Sequence, residues 1–429
     1  MAPPPAALPD ELAEEILLHL PPDEPSHLVR SSVVCKPWRR LLCHPNFLRR
    51  LYKLHRTPPV LGFFHTVYEK RSSRWLDSVR TTLFVPTTPS AFSLLIPGSR
   101  QWYALDYRHG RALFCSEVTR EGQDFLIWDP ITGDQRVVPV PWAPNSQLMN
   151  AAVVCAVDGC DHRDCRGGAF RLVFVFILQN VFLTFVCAYS SETGLWGNLL
   201  AVPYEPVKEK HSVLVGNSMY FLSSYRRTLE YDLAGRGLSV MNLPEAIASC
   251  KERIILMPMK EGRLGGAGVK ETCLYLWSRE ANGNGVASWV ESRAMELQNI
   301  LPVDALSASR TAVDLESERA RKVYENWKTH EVLIPFSSFY IPGNAAAARE
   351  QVIPCELAVA VFQARPVEGT PHSSPSSSAR GRPRKLPLDL VLLHARDPEV
   401  ASVLLAGPCK LASPSTSAPC PTKQHSSTT

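Results

Sequence analysis

The sequence predicts a multidomain chain, α then β: a small three-helix module, an all-β domain of the propeller type, and a low-complexity tail that is mostly disordered. Three observations point there. Residues 1–56 carry helical apolar spacing punctuated by prolines, residues 60–343 carry many short apolar runs separated by Gly, Pro, Asp and Ser, and residues 344–429 lose both patterns. At 429 residues the chain has room for two or three domains, and its 45% hydrophobic content is ordinary for a globular protein. A net charge of +5, from 46 basic and 41 acidic residues, is too diffuse to indicate nucleic acid or an anionic membrane as a partner.

The helical module reads in order. Pro9 sits where a helix can begin without losing a hydrogen bond, and Asp10, Glu11, Glu14 and Glu15 place negative charge at the positive end of the helix dipole. Leu12, Ile16, Leu17 and Leu20 form one stripe. Pro21 and Pro22 end that helix, Asp23 or Ser26 can cap a second one carrying Leu28, Val29, Val33 and Val34, and Pro37 fits as the first residue of a third with Trp38, Leu41 and Leu42. HRTPP, ending at Pro59, marks the boundary. Helices this short bury little apolar area, so the unit calls for a partner or a neighbouring domain.

The succession LPDELAEEIL, HLPP, a leucine helix ending VVCKPW, then RRLL and HPNF closely resembles the F-box. The resemblance implies a module that docks on the adaptor subunit of SCF-type ubiquitin ligases, the adaptor bridging to a cullin. Leu8, Pro9, Ile16, Leu17, Leu20, Val34 and Trp38 match the family's apolar contact and core positions. Pro37 departs from the family, which more often has a basic residue or alanine there.

In the β region, IWDPITGDQRVVPVP, AYSSETGLWGNLLAVP, EYDLAGRGLSVMNLP and AVDLESERARKVYE each read as a strand, a polar turn and a second strand. Aligning Asp129, Ser191, Asp232 and Asp314, with SWVESRAMEL near Trp289 as an intermediate copy, indicates a period of roughly 40 to 45 residues, which a four-stranded propeller blade needs. Six or seven blades are expected; a β-sandwich pair or an irregular barrel is the rival. DYRHGRALF, WDPITGDQRVVPVP, YSSETGLW, GNSMYFL and VDLESERARKVYE are together similar to the propeller-like associated region of large plant F-box families, particularly those of grasses. The apolar run from Leu172 to Tyr189, with Gln179 and Asn180 at its centre, reads as two buried strands joined by a tight turn rather than a membrane span.

Little of the sequence signals chemistry. Cys155, Cys160, His162 and Cys165 form C-x4-C-x-H-x2-C, but structural zinc sites usually pair two close ligands with a second pair well downstream. The preferred reading is a polar loop with Asp158, Asp161 and Asp164 exposed, and no metal or cofactor is assigned. In RGRPRK, Arg380, Gly381, Arg382 and Pro383 resemble the core of an AT-hook, and a nuclear-import signal or a basic linker has similar composition. GxxxxGK[ST], GxSxG and HExxH are absent, RLGGAG at 263–268 reads as lying between strands, and His65, His109 and His211 read as turn or surface residues. No secretory signal is readable, so the 12 cysteines are expected to be reduced thiols in cytosol or nucleus. The leading expectation is a non-catalytic substrate receptor of an SCF-type ligase, its β domain holding a protein substrate. The alternatives are a chromatin-associated protein acting through the basic tail and a propeller enzyme.

Overall fold

In this computed structural model the structure describes residues 8 to 339 apart from short internal segments, together with residues 389 to 393 and 402 to 406. Four helices come first: α1 (Asp10–Leu18), α2 (Pro25–Val34), α3 (Lys36–Cys43) and α4 (Pro45–His55). Three were expected. Pro45 opens the fourth, because proline at a first helical position gives up only an amide that has no intrahelical partner, and the His44 ring accepts a hydrogen bond from the Asn46 amide. Neither Asp23 nor Ser26 caps α2; its N-cap is Glu24 and Pro25 is its first residue.

The stripe expected on α1 also splits. Ala13, Leu17 and Leu18 turn inward, where Leu17 and Leu18 join Leu28, Leu42, Phe47, Leu51 and Tyr52, whereas Leu12 and Ile16 are exposed. Leu20 and Trp38 cover the edge of that cluster. Arg50 on α4 ties the sheath together through Glu14 and Glu15 on α1, each at 2.7 Å.

The β region starts with β1 (Val60–Lys70) and β2 (Ser78–Pro86). Next come β3 (Trp102–Arg108), β4 (Arg111–Ser116), β5 (Asp124–Trp128) and β6 (Gln135–Pro139), which form one four-stranded antiparallel sheet. A five-stranded sheet holds β7 (Ser146–Cys155), β8 (Phe170–Leu178), β9 (Leu183–Ser190), β10 (Leu195–Trp196) and β11 (Leu200–Pro203). A third sheet holds β12 (Val213–Val215), β13 (Ser218–Leu222), β14 (Arg227–Asp232) and β15 (Leu238–Asn242). After the short helix α5 (Glu245–Ala248), a fourth holds β16 (Ile254–Met259), β17 (Arg263–Lys270), β18 (Cys273–Ala281) and β19 (Ala287–Glu296). A short helix α6 (Leu297–Ile300) precedes β20 (Ser309–Asp314), β21 (Arg319–Glu325) and β22 (Val332–Ser337).

Two further strands, β23 (Asp389–Leu393) and β24 (Ser402–Ala406), complete a fifth sheet with β20 and β21, β24 pairing β20 at Thr311↔Leu405 and Ala312↔Leu404. These strands fall within residues 344–429, the low-complexity tail expected to be mostly disordered. The strands β22, β3 and β7 follow one another at the centre, β12 meets β16, β16 meets β23 and β23 returns to β22, so the sheets close a ring as a propeller does. Among the described residues there are five blades of four or five strands, not the six or seven expected, and the remaining sheet, β2-β1-β22, has three. Dividing length by an ideal period overcounts here because β1, β2 and β22 form a three-stranded sheet rather than a full blade.

Asp129, Ser191, Asp232 and Asp314 all fall at the turn before a blade's outer strand, and SWVESRAMEL lies in the outer strand β19. Local chemistry explains the first and third: the Asp129 carboxylate accepts the Ile131 amide at 2.8 Å, and Asp232 accepts the Ala234 amide at 3.0 Å. The apolar run over β8 and β9 is continuous because both faces are covered. Leu172, Phe174 and Phe176 enter the cluster shared with the β3–β6 sheet, and Val173 and Val175 enter the one shared with the β12–β15 sheet. Among the described residues no helix is long and apolar enough to cross a membrane.

RLGGAG, expected between strands, is the body of β17. A Cβ on Gly268 would stand 2.8 Å from Cys250 Sγ, and one on Gly265 would meet the Met259 side chain, so these glycines admit neighbouring side chains rather than phosphate.

The first strand of the ring pairs with β22. β1 runs antiparallel to β22, Phe64 opposite Ile334, and the Ser338 amide donates to Pro59 O at 3.1 Å. Immediately beyond, Phe339 leaves the propeller and enters the core of the helical module, its ring edge-on to Tyr52 with centroids 4.7 Å apart. Phe339→Ala is expected to remove about 3–5 kcal/mol from the packing of the helical module while the propeller stays folded. Hydrogen exchange in α1 and α4, compared with β8 and β17, checks it; uniform loosening or no change would contradict it.

Candidate functional site

The helical module presents apolar side chains that its own core does not use. Leu12 and Ile16, four residues apart on α1, share one side, Leu8 is exposed just before the helix, and Val33 and Val34 stand exposed at the end of α2. Ile16 is 51% and Val33 79% exposed. Of the residues matched to the family, Leu8, Pro9, Ile16 and Val34 lie on the surface, Leu17 is fully buried, and Leu20 and Trp38 are partly covered. The spacing grouped Leu12 with the core stripe and so did not show it as a surface residue.

On the propeller, the β7–β8 connection brings Cys155, Cys160, His162 and Cys165 together, their ligand-capable atoms all within 4.8 Å of one another. Cys160 Sγ lies 3.3 Å and His162 Nδ1 3.4 Å from Cys165 Sγ. The loop is therefore not a plain polar one, and Cys165 is buried. Asp161 and Asp164, like Asp158, lie outside the described residues. Two groups that spacing could not connect to the loop reach it from the β3–β4 turn. His109 sets its ring edge-on to His162 at 4.3 Å, and Arg111 donates to Cys165 O at 2.9 Å and to Gly168 O at 2.5 Å.

The other two histidines expected at the surface are inside. His65 is buried in β1. His211, just before β12, places Nε2 3.0 Å from Asp106 Oδ1, and Asp106 and Arg108 on β3 are buried with it. Asp106 also accepts the Val153 amide of β7 at 3.0 Å, and Arg108 donates to Ser212 O, so one cluster links three successive blades. Burial alone pushes the Asp106 carboxyl up, but Arg108 and His211 outweigh it and hold it below its ordinary value. Burial, with the Arg108 charge, pushes His211 below its ordinary value against the pull of Asp106. The cluster is thus an ionised Asp–Arg pair beside a neutral histidine, enclosed away from any solvent-borne reactant.

At the opposite ends of the strands from the cysteine loop, the β8–β9 and β13–β14 turns expose aromatic rings. Phe182 is 71% exposed with φ of 52°, its ring 6.2 Å from Tyr204, which is 6.3 Å from Tyr225. Arg227 lies over the Tyr225 ring at 5.6 Å and pairs with buried Glu205. The RGRPRK stretch, with Arg380, Gly381, Arg382 and Pro383, lies outside the described residues.

Residues 6–50 match the F-box domain. No curated protein matches the chain. Among solved structures, it is similar to the Mitotic Checkpoint Complex (11% identity, 53% of this chain and 57% of that one, TM-score 0.31) and to the RRP9 WD40 repeats (10% identity, 47% and 53%, TM-score 0.30). It is also similar to the Myceliophteria thermophila Cps50 (Swd1) beta-propeller domain, at 8% identity over 56% of this chain and 73% of that one, with a TM-score of 0.31. The chain spans about half the length of the first of these structures. The propeller architecture itself stands on the ring of sheets described above.

The buried cluster makes stability depend on pH in one direction. Both Asp106 and His211 take up protons more readily in the unfolded chain, where their ordinary values are 3.8 and 6.5. Their contribution is complete above the histidine value, declines as pH falls below it, and declines again below the carboxylate value. Urea midpoints from about pH 8 to about pH 4 should fall with acidification, and His211→Gln should flatten the upper part of that slope. Asp106→Ala should cost about 3–5 kcal/mol at neutral pH by leaving Arg108 buried without its counter-ion. A midpoint insensitive to both changes would contradict this assignment.

Proposed function

We propose that this chain is the substrate-recognition subunit of an SCF-type ubiquitin ligase, the F-box helices docking on the adaptor and the propeller holding a protein substrate. The observation that carries the reading is the exposure of Leu8, Leu12, Ile16, Val33 and Val34 on helices whose core is already filled from within. Several large apolar side chains left exposed on so small a unit are what a partner buries. The adaptor in turn bridges to a cullin, so the chain's partners are ligase subunits on one side and its substrate on the other. The chain itself is non-catalytic and leaves ubiquitin transfer to other subunits; it works in cytosol or nucleus, where such ligases act.

The mechanism is proximity. Tethering raises the effective concentration of substrate lysines at the ligase, and the gain survives only if the geometry lets both ends engage at once. Phe339 in the helical core supports that geometry, because it ties the docking module to the closing strand of the propeller. The Phe182, Tyr204, Tyr225 and Arg227 patch is the substrate-contacting surface in this reading: rigid aromatic and Arg anchors dominate interface energetics, and the patch faces away from the end of the ring that carries the helices.

Changing Leu8 and Pro9 together to Ala, or Ile16→Asp alone, should weaken binding to purified adaptor at least about tenfold without altering the melting of the propeller, whereas Leu17→Asp should unfold the helical module itself. Phe182→Ala combined with Tyr225→Ala should leave adaptor binding intact and remove proteins that co-purify when the proteasome is blocked. Undiminished adaptor binding by the Ile16 variant would overturn the docking assignment.

A further inference from the structure

We propose that the β7–β8 connection is a structural zinc site, ligated by Sγ of Cys155, Cys160 and Cys165 and by Nδ1 of His162. Cys3His is an established structural zinc set, and its tetrahedron, with zinc–sulfur bonds of about 2.3 Å and a zinc–nitrogen bond of about 2.0 Å, has edges of about 3.5–3.8 Å. The Sγ–Sγ distance of 3.3 Å between Cys160 and Cys165, and the 3.4 Å from Cys165 Sγ to His162 Nδ1, fall short of those edges by about half an ångström or less and are far longer than a disulfide bond. All four ligand atoms fall within 4.8 Å of one another, so the outermost of them need close by only about 1 Å to reach the tetrahedral edges. Three thiolates and an imidazole exclude calcium and magnesium, which take oxygen ligands.

The chain around the cluster is arranged as metal loops are. His162 has φ of 58°, a left-handed backbone that turns its ring back toward the cysteines, and its amide donates to Cys160 Sγ at 3.4 Å. Gly167, with φ of 74°, reverses the chain into β8. The spacing places all four ligands close together because the end of β7 supplies the first and the returning loop supplies the other three. Binding displaces the three thiol protons, so the zinc, three thiolates and neutral imidazole carry one net negative charge. Arg111 lies against that charge and is anchored by Cys165 O and Gly168 O, and the His109 ring braces His162. The same Arg111 and Gly168, with Phe170, Arg136 and Glu192, line an open cleft of about 370 Å³, so the metal would set one wall of a cleft at the end of the ring that carries the helices.

The test uses the full chain purified under reducing conditions without added metal. Elemental analysis and native mass spectrometry should find one zinc per chain, and replacing it by cobalt should produce the intense visible bands of tetrahedral, thiolate-ligated Co2+. Cys160→Ser and His162→Ala should lose the metal, while Cys43→Ser, an exposed cysteine on α3, should keep it. If a ligand variant fails to fold, the cobalt spectrum of the unaltered chain decides. Absence of zinc together with a weak octahedral cobalt spectrum, retention of the metal by both ligand variants, or a Cys160–Cys165 disulfide in the reduced preparation would each overturn the assignment.

Discussion

The antiparallel pairing of β1 with β22 is the constraint on which the rest of the structure depends. It joins the first strand of the β ring to β22, Phe64 opposite Ile334 and Val60 opposite Ser337, and each sheet can cover its neighbours only once the ring is closed. Closure also decides where the helices sit. The helical module ends at His55, five residues before β1, and Phe339 follows β22, so the register that closes the ring delivers Phe339 to Tyr52. Packing around Phe64 is rich in aromatic rings: Phe64 contacts Phe84, Tyr107, Phe114 and Phe336 at ring distances between 5.3 and 6.2 Å. Edge-to-face pairs of this kind add to the area they bury, which suits a seam held by only three strands.

Polar groups complete what the aromatic seam begins. Thr66 and Thr82 share a hydrogen bond at 2.9 Å, and Thr82 accepts the Ala104 amide of the neighbouring blade. The Asp106, Arg108 and His211 cluster then ties three blades near the centre. Breaking such a cluster on one side costs more than the intact cluster contributes, because the surviving charge stays out of water. These contacts fix how the blades stand relative to one another, and so hold the aromatic patch at a fixed position on the propeller.

What was legible in the sequence was local. Asp129 and Asp232 announce their turns because a short carboxylate satisfies amides two residues on, and the alternation of Phe and Val in β8 announces a strand covered on both faces. The F-box pattern was legible for the same reason, since its prolines and leucines act within one or two turns. Long-range relations were not. A 3.6-residue period shows that Leu12, Ile16 and Leu17 lie on a helix but not which of them faces the core when both sides are apolar. The pairing of β24 with β20 crosses about 90 residues, and no local signal joins them. Spacing discounted the cysteine loop because the expected second ligand pair is missing, and neither His109 nor Arg111, some 50 residues away, is connected to it by any pattern. His211 read as a surface residue because its charged partners lie on another blade.

The central claim is that the exposed faces of α1 and α2 dock a ligase adaptor while the propeller remains free for substrate. Hydrogen exchange of the full chain with and without saturating purified adaptor tests it most directly. Protection is expected over residues 8–20 and 29–38, with exchange across β3 to β19 unchanged. Protection confined to the β sheets, or none at all, would contradict it.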